Sequence, residues 1–86
     1  MIIKVEQRHI DAGFRHRCQE CPIAMAIQEA TGVKVSVYPI SGVYFGNKVI
    51  IPIPWEAAKF IGDFDAGLDV RPFEFDLPWS PPETTE

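Results

Sequence analysis

The chain has 86 residues, 47% of them hydrophobic and 23% charged, with a net charge of −4; that is enough for one compact domain, leaves no room for a second core, and is too apolar for a disordered polymer. No apolar run nears the roughly 20 residues of a membrane span, and the opening MIIKVEQRHI lacks the apolar stretch of a secretory leader, so a cytoplasmic protein is expected. Charge is uneven: residues 55–86 set Lys59 and Arg71 against eight acids, while the cations nearest to a nucleic-acid patch are Arg8, Arg15 and Arg17.

Ile3 and Val5 alternate with Lys4 and Glu6, the period of two of a half-buried strand. Gln7 to Ala12 suits a short helical turn, which Gly13 would end through its tolerance of positive φ. A basic loop, Phe14 to Arg17, follows. Pro22 fits the first position of a helix, where its missing N–H costs nothing, and Gly32 fits the stop. Between them Ile23, Ala26, Ile27 and Ala30 fall on one face. Val33, Val35 and Val37 alternate with Lys34, Ser36 and Tyr38 in a second strand that Pro39 ends. Val43 to Phe45 and Lys48 to Ile51 flank Gly46-Asn47, a pair suited to a tight hairpin turn.

Pro52 and Pro54 close that strand. Trp55 to Ala66 reads as a second helix, with Ala57, Phe60, Ile61 and Phe64 on its core face, Trp55 as a core anchor near its start, and Gly67 as its stop. Phe73, Phe75 and Leu77 alternate with Glu74 and Asp76 in a last strand, which Pro72 places at a sheet edge. After the domain, residues 1–78, comes a Pro-rich acidic tail, 79–86, expected to be extended, in which Trp79 either folds back on the core or meets a partner.

The order β-α-β-β-β-α-β predicts an α+β fold: a two-layer sandwich with a mainly antiparallel sheet of about four to five strands and two helices on one face. The other face, carrying Lys34, Ser36, Tyr38, Tyr44 and Glu74, would be open to a partner. An exposed edge strand invites a homodimer, and Pro72 blunts it. The acids Asp63, Asp65, Asp69, Glu74 and Asp76 offer a surface complementary to a basic protein.

Cys18-Gln19-Glu20-Cys21 has the C-x-x-C spacing of a metal grip or a redox pair. Zinc would need four ligands, and His9, His16, Cys18 and Cys21 supply that number, crowded into thirteen residues. The redox reading needs an attacking thiol at a helix start, whereas here Pro22 puts the second cysteine at the helix cap. The preferred reading is plainer: Cys21 packs as a small hydrophobe beneath the helix and Cys18 is a loop thiol, with no cofactor. No serine partner serves His9 or His16, and Asp63 and Asp65, two apart, point to different helix faces, so no enzyme is expected.

His9-Ile10 with Gly13, then Cys18 and Cys21-Pro22-Ile23-Ala24 leading into Ala26-Ile27, resemble the start of a group of short uncharacterised phage and bacterial proteins. Phe60, Phe64-Asp65-Ala66-Gly67, Val70, Pro72-Phe73-Glu74-Phe75 and Leu77 resemble its end. The resemblance implies a phage or mobile-element origin and carries no activity with it. For a small acidic protein of that origin, the function expected is non-enzymatic: binding a host protein, as an inhibitor of host defence or of a nucleic-acid enzyme, in the host cytoplasm. The contact residues would be the five acids with Tyr38 and Tyr44. Two alternatives stand beside it, a zinc- or thiol-dependent module centred on Cys18 and Cys21, and an accessory protein touching nucleic acid through Arg8, Arg15 and Arg17.

Overall fold

A computed structural model of the chain describes residues 1–38, 42–45 and 49–78. Its elements run β1 (Ile2–Val5), α1 (Gln7–Ala12), α2 (Pro22–Thr31), β2 (Val35–Tyr38), β3 (Gly42–Phe45), β4 (Val49–Ile51), α3 (Trp55–Asp65) and β5 (Phe73–Asp76). The α+β class and the antiparallel pairing follow the sequence reading. The single sheet does not: β1 pairs only with β5, and β2, β3 and β4 form a separate three-stranded sheet, among the described residues. Alternation identifies a strand but not its neighbour. α2 packs on both β1 and β2 and so joins the sheets through a shared core rather than a shared ladder.

Six residues are too few for a free-standing helix. α1 holds because Glu6 and His9 cap it reciprocally: the Glu6 side chain accepts from the His9 backbone, and His9 Nδ1 accepts from the Glu6 N–H at 2.9 Å. Gly13 ends it for a reason other than the positive φ expected. Its φ is −75°, ordinary extended backbone. What a side chain would meet there is Pro22: a Cβ at Gly13 would lie 2.6 Å from Pro22 Cδ. α1 is thus folded back hard against the start of α2.

α2 begins as expected, with Pro22 in its first turn, and ends at Gly32 in the left-handed region, φ 73°. Its buried side chains are Pro22, Ile23, Ala24, Ala26 and Ile27. Ala30, expected on the same face, is exposed because the last turn faces solvent. In α3, Ala57, Phe60, Ile61 and Phe64 are all buried. Trp55 is not a core anchor: it is 70% exposed. At 100° per residue it stands on the opposite side of the helix from that stripe.

One cluster unites Ile3 and Val5 of β1, Val35 and Val37 of β2, Val43 and Phe45 of β3, Phe75 of β5, and the buried faces of α2 and α3. Side chains as completely buried as Ile3, Ile23 and Ile27 each contribute about 1.5–3 kcal/mol. Ser36, Tyr38 and Tyr44 do share the outer side of the three-stranded sheet, but Glu74 belongs to the other sheet, and Lys34 precedes β2. β3 and β4 are antiparallel neighbours as expected, with Val43 opposite Ile51. The Gly46-Asn47 turn, Pro39, Lys48 and the tail 79–86 with Trp79 lie outside the described residues. No helix among the described residues is long and apolar enough to cross a membrane.

Candidate functional site

The loop between α1 and α2 is drawn across the molecule by three bonds. Arg15 Nε donates to the Phe64 carbonyl at 3.1 Å, placing a cation at the C-terminal end of α3 where free carbonyls gather. The His16 N–H donates to Asp65 Oδ1 at 2.9 Å. The Cys18 carbonyl accepts the Val37 N–H at 2.8 Å. His16 has φ 61°, a left-handed conformation uncommon for a residue with a side chain, held by that contact to α3. Asp63, two residues earlier, turns the other way to Lys59 at 2.9 Å, so the two acids do point to different faces.

Loop, α3 and β2 enclose a pocket of about 290 Å³. Val37 and Ile61 form apolar walls; His16, Cys18, Cys21, Tyr38 and Asp65 bring polar atoms to it, and Arg17 lies at its side. Cys21 is the N-cap of α2, its sulfur accepting the Ala24 N–H at 3.4 Å. Burial pushes its thiol up from the ordinary value, opposed by the Ala24 and Ile23 backbone N–H groups. Cys18 is half-buried, and its Sγ donates to the Tyr38 hydroxyl at 3.5 Å. That contact raises the Tyr38 phenol from its usual value. Tyr38 packs edge-on against Tyr44, ring centroids 5.2 Å apart at 85°.

Of the four ligands considered for zinc, the structure gathers three, His16, Cys18 and Cys21, around this pocket. His9 is elsewhere, buried between α1 and α2 with Nδ1 on the Glu6 N–H and Nε2 3.2 Å from Glu29 Oε1. Among the described residues no three His, Cys, Asp or Glu side chains converge closely enough to hold a metal. Asp65, expected from the sequence as one of the partner-binding acids, lines the pocket. Nothing in its spacing from residue 16, 49 positions away, signals the contact.

The five acids do not make one face. Asp63 is paired with Lys59, Asp65 with the His16 N–H, and Asp76 with the N-terminal amine at 3.1 Å. Asp69 lies beside Glu56 and Arg71, whereas Glu74 stands across the β1–β5 ladder from Lys4. The three arginines are engaged as well: Arg8 with Glu6 and Glu29, Arg15 with Phe64, and Arg17 with Glu20, over the Phe14 ring at 5.4 Å. No family model, curated protein or solved structure matches the chain.

Proposed function

We propose that the chain is a small non-enzymatic binding protein of a phage or other mobile element, and that it engages a host protein through Tyr38, Tyr44 and the pocket beside them. The observation that carries this reading is the tyrosine pair. Tyr38 is 41% exposed yet fixed by Tyr44 edge-on and by Cys18 at its hydroxyl. A rigid amphipathic ring next to a concave, partly apolar hollow is the pattern of an interface anchor, because little side-chain entropy remains to be lost on binding. The hollow has the volume to take one side chain of a partner.

Asp69 and Glu74 are exposed and have no ion-pair partner among the described residues, so each acid, though on a separate part of the surface, adds to the attraction for a basic partner. The engaged guanidinium groups of Arg8, Arg15 and Arg17 favour a protein over nucleic acid. Binding in the host cytoplasm agrees with thiols that stay reduced.

The test is affinity capture from host extract with wild type, Tyr38→Ala/Tyr44→Ala and Asp69→Lys/Glu74→Lys, after melting curves confirm folding. The tyrosine variant is expected to lose the specifically captured protein, and the charge reversal to weaken capture most at low salt. Capture that survives loss of both tyrosines would sink the reading; loss through charge reversal alone would move the interface to the acids.

A further inference from the structure

Cys18 and Cys21 line one pocket, and each sulfur has a hydrogen-bonding neighbour able to stabilise a negative charge. Cys21 Sγ accepts the Ala24 N–H at the start of α2, and Cys18 Sγ lies 3.5 Å from the Tyr38 hydroxyl, which can rotate its proton toward a thiolate. Arg17 stands beside them, and Val37 and Ile61 keep the walls apolar. The turn that carries them is closed by the Glu20 N–H on the Arg17 carbonyl, at 3.1 Å.

The third donor is what distinguishes the ions. Tetrahedral zinc asks for four ligands, and here no third His, Cys, Asp or Glu converges with the sulfurs among the described residues. Asp65 is held by the His16 N–H, and the His16 ring is turned to Asp65, with Nδ1 3.8 Å from Oδ2. A soft d¹⁰ cation satisfied by two thiolates has no such need. We propose that Cys18 and Cys21 form a two-thiolate site for copper(I). Binding is a plain exchange: Cu⁺ takes the place of the two S–H protons, both protons pass to solvent, no electron moves, and the site is left with one negative charge. The N-terminus of α2 offsets that charge. The Ala24 N–H and Tyr38 O–H orient the sulfurs from outside the coordination sphere.

The site stands independently of any protein partner, so its test uses the purified chain alone. The chain, fully reduced and free of oxygen, is titrated with copper(I) against bathocuproine disulfonate, and the product is weighed by native mass spectrometry. One copper per chain is expected, with two protons lost. Cys18→Ser and Cys21→Ser should each abolish retention, Tyr38→Phe should weaken it about tenfold, and His16→Asn and Asp65→Asn should leave it unchanged. Cys18 is only half-buried, so its serine variant remains informative if Cys21→Ser fails to fold. The site is refuted if wild type retains no copper, if Cys18→Ser retains it fully, or if retention depends on His16 or Asp65.

Discussion

Both carboxylate oxygens of Glu29 accept from the guanidinium of Arg8, so that one ion pair ties α1 to α2 across 21 residues of chain. The pair holds the Glu29 carboxyl down to about 2, with the Arg8 hydrogen bonds the largest cause. Because the folded-state value is depressed, the stabilisation is complete above the ordinary carboxylate range and disappears as pH falls through that range toward the folded value. Urea midpoints of wild type and Glu29→Gln should differ at about pH 6 and converge as about pH 2 is approached. Both side chains are exposed, so added salt should narrow the difference. A difference that stays constant with pH would refute the assignment.

His9 links the same two helices from inside. Its Nδ1 accepts the Glu6 N–H, which leaves the ring proton on Nε2, toward Glu29. Nitrogen chemical shifts at neutral pH should therefore report the Nε2–H tautomer. His9→Ala removes both a cap and a buried ring and should cost about 1–3 kcal/mol. A Nδ1–H signal would show that the cap is not made as described.

Two glycines make opposite predictions. Gly13→Ala pushes a methyl into Pro22 and should destabilise by about 1–3 kcal/mol. Gly62 lies in α3 with open space where a Cβ would be, so Gly62→Ala should stabilise by about 0.5–1 kcal/mol through helix propensity. Paired thermal melts decide; equal shifts of the same sign would contradict the packing between α1 and α2.

The thiols should react as a fast one and a slow one. Cys18 is half-buried, whereas Cys21 is 3% exposed and its thiol is pushed up by burial. A disulfide reagent at mildly alkaline pH should modify one group promptly and the second only as denaturant is added. In the Cys18→Ser variant the prompt phase should vanish; a prompt phase that persists there would place Cys21 at the surface.

What the sequence disclosed was what repeats. The i, i+3, i+4, i+7 spacing of Ala57, Phe60, Ile61 and Phe64 marks the buried stripe of α3, and the period of two at Ile3 and Val5 and at Phe75 and Leu77 marks two strands. Pairing of those strands with each other was not visible, since period two records a face and not a neighbour. Trp55 has the size of a core residue, but its angle on the helix, opposite the buried stripe, leaves it in solvent. The pocket was half visible. Cys18 and Cys21 announced themselves by spacing, but Tyr38, Ile61 and Asp65 reach it through folding alone. Residue type alone puts His9 in the zinc set with His16, Cys18 and Cys21, whereas the Glu6-x-x-His9 interval makes it a helix cap.

β2 is one of the two outer strands of its sheet, and the Cys18 carbonyl occupies the Val37 N–H on its free side. The loop that shapes the pocket is also a plug in the place where another chain would add a strand. A second copy pairing at that edge would have to lift the loop, parting Cys18 from Tyr38 as it did so. Self-association along β2 and an intact dithiol hollow are therefore mutually exclusive states of the same segment, and crowding the protein at this edge would be read out as a more reactive Cys18.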